Sequence, residues 1–147
     1  MTASPTQSTL KLLLVADSDS QLLACEALCS APTVLHVHWT INVIPRDGTP
    51  RALLERLAQR ATLRCQSLAR LLRDRRLQGF DAIGVFLTGS KLNDIRLALQ
   101  RNPQRPLLFC GFNGVVLDHF IEGLSWRLGY DLICLSGPRD QDALEQL

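Results

Sequence analysis

Short apolar runs alternate with amphipathic stretches along the chain, and this alternation is the feature that most constrains the fold. The apolar runs have the length of buried strands and lie at residues 10–16, 33–44, 80–87, 105–112 and 131–136. Helical periodicity separates them at about residues 18–31, 50–77, 90–101 and 114–128, and a last helical pattern starts near Asp140. Strands joined through helices form a parallel sheet that is covered on both faces. The pattern predicts a three-layer α/β sandwich of the Rossmann-like or flavodoxin-like type, with a five-stranded parallel sheet.

The second predicted strand differs from the others because polar and apolar side chains alternate along it. Its polar residues fall on one face: His36, His38, Thr40 and Asn42. A central strand of a parallel sheet is apolar on both faces, so the alternation predicts an edge strand and the sheet order 2-1-3-4-5. The alternative order is 3-2-1-4-5. A half-exposed edge accounts for His36 and His38 without a shared metal site.

The length and composition are those of a single globular domain. The chain has 147 residues, of which 46% are hydrophobic, and no apolar run approaches the roughly 18 residues of a membrane span. Residues 1–9 are polar and predict a disordered lead-in, which leaves residues 10–147 as one Rossmann-like domain. The chain has five cysteines, an odd number in apolar contexts, and no signal-peptide pattern. We therefore expect a cytoplasmic protein with reduced, buried thiols, and neither a metal nor a cofactor is predicted.

Basic residues crowd into residues 46–76, which raises the question of nucleic-acid binding. The segment contains no aromatic residue that could stack on a base, and the net charge of the chain is only +2. If residues 50–77 form one helix, its apolar stripe consists of Leu54, Ala58, Ala61, Cys65, Leu68 and Leu72. The arginines then point to solvent, so we expect no nucleic-acid partner.

Four loops meet at the carboxyl edge of the predicted sheet, which is where open parallel sheets bind their ligands. They begin at Asp17, Thr88, Gly111 and Ser136. In either strand order the Asp17 loop borders the point at which the order reverses. In the preferred order its neighbour there is the Thr88 loop.

The first loop, Asp17-Ser18-Asp19, is acidic and contains no glycine. It therefore does not match a phosphate cradle, whereas its carboxylates suit sugar hydroxyls or a divalent cation. Ser18 and Gln21 fit a capping box, which gives Ser18 a structural role as well as a candidate role in substrate binding. Asp17 and Asp19 are the candidate catalytic residues.

The other loops pair glycine with short polar side chains at predicted helix starts, and Lys91 adds a cation beside the Thr88 loop. Such loops suit a phosphate or a sugar, although ordinary strand-to-helix turns have the same composition. The candidate substrate-binding residues in them are Thr88, Gly89, Ser90, Gly111, Asn113, Gly114 and Ser136.

Four segments together resemble the N-terminal half of a family of bacterial glycosyltransferases with distant similarity to polysialyl- and glycerophosphate-type transferases. They are VADSDSQLL, VFLTGSKLN, CGFNGVVLDHF and DLICLSGPRD. The resemblance implies the GT-B fold, in which two Rossmann-like domains face a cleft. The first domain mainly holds the acceptor, a glycan or another molecule, and the second mainly holds the nucleotide sugar. Residues 10–147 would then be an N-terminal half that lacks its C-terminal domain and is inactive alone.

The resemblance also implies roles for individual residues. Asp17 or Asp19 would orient an acceptor hydroxyl or act as a base. Hydrogen bonds to sugar or phosphate would come from Thr88, Ser90, Asn113 and Ser136.

Two other hypotheses remain. A D-x-D after the first strand also begins haloacid-dehalogenase-type phosphatases, and Thr88 suits their second motif, but only the distant Asp140 is available for their later acidic pair. The third hypothesis is a non-catalytic flavodoxin-like module that binds a small ligand or a partner. An exposed edge strand and a half-cleft would also favour a homo-oligomer.

Overall fold

The computed structural model describes residues 9–33, 35–111 and 127–134. Strands and helices alternate in this part of the chain, as the sequence predicts. The elements are β1 (Leu10–Ala16), α1 (Asp19–Ser30), β2 (Val37–Val43), α2 (Arg51–Ala58), β3 (Thr62–Arg64), α3 (Leu68–Arg73), a 3-10 helix (Arg75–Gly79), β4 (Ala82–Val85), α4 (Ser90–Leu99), β5 (Leu107–Gly111) and β6 (Leu132–Cys134). The helices expected at residues 114–128 and from Asp140 fall almost entirely outside the described residues.

The strands form one parallel sheet with the order β3-β2-β1-β4-β5-β6. This is the order of the classic dinucleotide-binding sheet, and it confirms the predicted α/β class. The five expected strands keep their predicted relative order, because they correspond to β2, β1, β4, β5 and β6. The alternative order is wrong, because it places the strand expected at residues 80–87 beside β2, whereas that strand is β4 and pairs with β1.

The expected strand count is wrong, and so is the single helix at residues 50–77, because a sixth strand interrupts it. β3 pairs with residues 40–42 of β2. The backbone groups of β3 form hydrogen bonds with β2, and this pairing prevails over the local helical pattern. Hydrophobic periodicity alone does not show that such a partner strand is present. The helix α3 then starts afresh at Ser67, whose side chain accepts a hydrogen bond from the backbone N–H of Arg70.

The prediction that β2 is a sheet edge is also wrong, since β3 covers its outer side. His36 and His38 are exposed as expected, but Thr40 and Asn42 are buried at 1% and 0% exposure. The segment that follows β3 covers them, and Asn42 Nδ2 donates to the carbonyl oxygen of Gln66 at 3.1 Å. The polar face of β2 is therefore internal at its carboxyl-terminal end, where Thr40 and Asn42 lie.

Each face of the sheet carries its own apolar core. The core under α3, the 3-10 helix and α4 includes Leu13, Val15, Leu71, Leu77, Ile83, Val85, Leu92 and Ile95. The core under α1 and α2 includes Leu14, Leu22, Cys25, Ile41, Leu53 and Leu57. Each fully buried leucine or isoleucine contributes about 1.5–3 kcal/mol. The two cores hold the strand ends, and hence the loops at the carboxyl edge, in fixed positions.

The five cysteines are all free thiols, but their environments differ. Cys25 and Cys110 are buried, and burial raises the pKa of Cys110 to about 12. Cys65 and Cys134 are exposed, so the expectation of buried thiols is wrong for these two residues. None of the helices within the described ranges has the length and apolar character that crossing a membrane requires.

Candidate functional site

The carboxyl end of β1 lies between the loops that follow β2 and β4. The N–H of Ile44 donates to the carbonyl oxygen of Ala16 at 2.9 Å, and the N–H of Phe86 donates to that of Val15 at 2.9 Å. Asp17 therefore leaves the sheet at the point where the strand order reverses. We call the loops at residues 17–19, 44–46 and 86–91 the switch-point edge.

Asp17 and Lys91 form an ion pair across the switch-point edge. Lys91 Nζ donates to Asp17 Oδ2 at 2.5 Å, and the two side chains are 47% and 17% exposed. Asp17 Oδ1 has no hydrogen-bond partner within the described residues. Oδ2 is therefore held in place, while no described residue occupies Oδ1.

Asp19 has a different partner and a different environment. It occupies the first turn of α1 and pairs with Arg46 from the loop after β2. Its side chain is 46% exposed. The two aspartates expected to act together are thus each paired with a separate cation, one from each flanking loop.

Ser18 performs the predicted capping role. Its hydroxyl accepts from the backbone N–H of Gln21 at 3.3 Å, and Gln21 Oε1 accepts from the N–H groups of Ser18 and Asp17 at 3.3 and 2.7 Å. This confirms the capping box. Gln21 is only 3% exposed, so it fixes the backbone of the acidic loop from below.

Gly89 turns the chain from β4 into α4. Its φ of +61° and ψ of −141° lie in a region that essentially only glycine occupies. A Cβ atom there would meet nothing within 4 Å, so the need for glycine is conformational rather than steric. The turn leaves Thr88 and Ser90 exposed next to Lys91 at the start of α4.

The loop after β5 begins at a packed glycine. A Cβ atom on Gly111 would lie 3.4 Å from the carbonyl oxygen of Cys134 and 3.4 Å from the ring of Phe86. Arg127, which is only 4% exposed, donates from Nε to the carbonyl oxygen of Gly111 at 3.3 Å, and burial lowers the pKa of this arginine. Three further candidate residues lie outside the described residues: Asn113, Gly114 and Ser136.

Two cations of this edge were not among the candidates chosen from the sequence. Arg46 follows the second strand and Lys91 opens the helix after the Thr88 loop, so both stand at carboxyl strand ends that the preferred order places beside Asp17. The strand order thus accounts for their position near Asp17, whereas the pairing itself depends on side-chain reach. Nothing in the sequence marks Arg127 as buried.

The arrangement at the switch-point edge suits polar, uncharged groups better than a phosphate. Asp17 offers a carboxylate oxygen as a hydrogen-bond acceptor, and Thr88 and Ser90 offer hydroxyls nearby. Lys91 is engaged by Asp17, which reduces the positive charge available to an anion. Within the described residues, no group of three or more His, Cys, Asp or Glu side chains could hold a metal ion.

The fold and this edge define a Rossmann-like α/β domain with an acidic, glycine-free loop at the switch point. The family model described as "Putative glycosyltransferase (DUF6716)" matches residues 12–147. The match covers almost the whole chain, and the chain belongs to this family, as its resemblance to glycosyltransferases predicts. A comparison with curated proteins gives no match.

Proposed function

We propose that this chain is the acceptor-side domain of a GT-B-type glycosyltransferase. In this proposal the carboxylate of Asp17 accepts a hydrogen bond from the hydroxyl group of the acceptor. Membership of the glycosyltransferase family supports the activity class. The single observation that carries the assignment of the site is the Asp17–Lys91 pair at the switch point, with Asp17 Oδ1 facing no partner among the described residues.

The chemistry follows from this arrangement. An acceptor hydroxyl donates its hydrogen bond to Asp17 Oδ1 and is thereby oriented for attack on the anomeric carbon of the donor sugar. A bond forms between the acceptor oxygen and this carbon while the bond from the carbon to the nucleotide phosphate breaks. The hydroxyl proton passes to the Asp17 carboxylate, which acts as the general base. Lys91 keeps the carboxylate in position.

The remaining groups of the edge hold the acceptor. Thr88 and Ser90 are exposed beside Lys91 and present hydroxyls to a sugar. The nucleotide sugar is bound mainly by a second Rossmann-like domain across the cleft, so the isolated domain does not catalyse transfer. Asp19 does not contact the acceptor in this proposal. Its ion pair with Arg46 links the loop after β1 to the loop after β2.

A glycan array tests this assignment directly. The array includes sialylated glycans and glycerol phosphate polymers, because the resemblance points to these acceptor classes. We expect the chain to bind a subset of them, and Asp17→Asn to weaken that binding about tenfold, since a charge-assisted hydrogen bond is lost. Asp47→Asn is the matched control, because Asp47 is an exposed aspartate in the turn after β2.

The assignment of Asp17 fails if the two variants bind glycans equally well while both retain the melting temperature of the parent. The acceptor-side function fails if the parent chain binds no carbohydrate on the array.

The second candidate is a phosphatase-like hydrolase, and one observation favours it. Asp17 and the Thr88 loop meet at the same edge, as the first two motifs of D-x-D phosphatases require. Asp19, the second carboxylate of that motif, instead forms an ion pair with Arg46, and this contact does not favour the phosphatase. Release of phosphate from p-nitrophenyl phosphate that needs Mg²⁺ and disappears in Asp17→Asn would establish this activity in place of the transferase function.

A further inference from the structure

A cavity lined by several basic residues lies toward the amino ends of β1 and β2, on the face covered by α3 and the 3-10 helix. Its volume is about 340 Å³, within the range of small-molecule sites. We call it the basic pocket, and the residues that matter for its chemistry are Lys11, His38, Thr40, Arg64, Arg76 and Phe80. Lys11 precedes Asp17 by six residues of extended strand, so the pocket lies about 20 Å from the switch-point edge.

Three cationic side chains line the basic pocket, and no lining residue is acidic. Two carboxylates that neighbour lining residues in the chain, Asp81 and Asp74, already have hydrogen-bond partners. Asp81 accepts from the backbone N–H of Lys11 at 2.7 Å, which leaves the ammonium group of Lys11 without a partner among the described residues. Asp74 binds Nε and Nη2 of Arg76, which leaves Nη1 of that arginine available.

The arginines are held in place before any ligand arrives. The guanidinium of Arg64 lies over the ring of Phe80 at 5.7 Å from its centroid, and Arg76 is fixed by Asp74. Hydrogen bonds from Arg76 hold the pKa of Asp74 at about 2, so this clamp stays charged over a wide pH range. Preorganised guanidinium groups reduce the entropy lost when an anion binds.

Thr40 gives the floor of the pocket an unused polar group. Thr40 lines the pocket although the residue is only 1% exposed, and its hydroxyl makes no hydrogen bond within the described part of the chain. The pocket therefore combines three cationic side chains with a neutral hydroxyl in its lining.

We propose that the basic pocket is a binding site for the phosphate group of a small molecule. Lys11, Arg64 and Arg76 bind the phosphate oxygens, and Thr40 and His38 bind the remaining phosphate oxygens or adjacent hydroxyls. Arginine and lysine together favour phosphate through charge and through directed N–H donors. This site is independent of the switch-point edge and of the transferase proposal.

Isothermal titration of the full chain with inorganic phosphate, glycerol phosphate and uncharged glycerol tests the proposal. We expect saturable binding of the two phosphates and none of glycerol. Arg64→Gln and Lys11→Gln should each weaken phosphate binding about tenfold. Arg75→Gln is the matched control, because Arg75 is an exposed neighbour of Arg76 that does not line the pocket.

Tighter binding of glycerol phosphate than of inorganic phosphate would assign the pocket to organic phosphates. Equal affinity for the two would assign it to free phosphate. Either result supports a phosphate site in the basic pocket. Absence of saturable phosphate binding to the parent chain would overturn it. An equal loss in Arg75→Gln would also overturn it, because the attraction would then come from general surface charge. Melting curves of each variant verify that it is folded.

Discussion

Lys91 Nζ lies 2.5 Å from Asp17 Oδ2, although 74 residues separate the two along the chain. The contact exists because β1 and β4 are adjacent parallel strands whose carboxyl ends face the same edge. It ties the acidic loop after β1 to the start of α4, and it fixes the carboxylate on which the proposed function depends.

The Asp17–Lys91 pair should contribute measurably to stability. We expect a double-mutant cycle of Asp17→Asn and Lys91→Gln to give a coupling energy of about 1 kcal/mol, at the upper end for surface pairs because Asp17 is only 17% exposed. Urea denaturation of the four proteins measures it. The exposed pair of Arg51 and Glu55 is the control and should show no resolvable coupling. Equal coupling in both cycles would contradict the geometry.

Gly89 should resist substitution for conformational reasons. With φ at +61°, Gly89→Ala is expected to lower the free energy of unfolding by about 1–3 kcal/mol, although the added methyl group would touch nothing within 4 Å. Gly79→Ala is a matched control, because it also has open space around its Cβ position but no positive φ. If chemical denaturation shows equal losses for both variants, the backbone conformation assigned to Gly89 is wrong.

Asp131 should make stability depend on acidic pH. The hydrogen bond from Arg105, with help from the N–H of Leu108, holds the pKa of Asp131 at about 2, below its ordinary value of 3.8. Because the folded-state pKa is depressed, the stabilisation is complete above about pH 3.8 and is lost as the pH falls toward 2. It amounts to about 1 kcal/mol after allowance for solvent screening of this partly exposed pair.

Carboxyl carbon shifts in an NMR titration measure the pKa of Asp131 directly. Arg105→Gln should raise it toward the ordinary value and flatten the dependence of stability on pH between 4 and 2. A wild-type Asp131 that titrates at its ordinary pKa would contradict its bidentate contact with Arg105, which joins the segments that precede β5 and β6.

The cysteines should differ sharply in their reactivity with iodoacetamide. Cys65 is exposed and should be alkylated first, whereas burial raises the pKa of Cys25 and of Cys110, so that little thiolate forms. Cys134 should react more slowly than Cys65, because partial burial raises its pKa as well. Mass spectrometry of the native protein at pH 8 gives the order. Labelling of Cys110 as fast as that of Cys65 would contradict the packing of β5.

The sequence predicted the strand alternation because it depends on hydrophobic runs. The predicted neighbours of β1 are confirmed, although the premise that the polarity of β2 marks a sheet edge is wrong. The prediction failed at residues 59–67, where local periodicity favours one helix but pairing of β3 with β2 prevails. No glycine or proline marks the break there. Two signals were present: the capping residue Ser67, and the polar face of β2, whose buried Thr40 and Asn42 require cover.

The candidate site was predictable to the extent that it depends on topology. The positions of Asp17 and the Thr88 loop follow from the strand order. The partners of the aspartates were not predicted, because ion pairing depends on side-chain reach: Arg46 pairs with Asp19 and Lys91 with Asp17. The basic pocket was missed for a related reason, since Lys11 and Arg64 lie on different strands, one of which was not predicted.

The most direct test of the central claim is a two-dimensional ¹H–¹⁵N NMR titration of the chain with a carbohydrate acceptor selected on the glycan array and, separately, with nucleotide sugars. We expect the acceptor to shift the backbone amides of residues 17–19 and 88–91, Asp17→Asn to abolish these shifts, and nucleotide sugars to leave the same amides unmoved. Saturable shifts of these amides with a nucleotide sugar, and none with any carbohydrate acceptor, would contradict the claim.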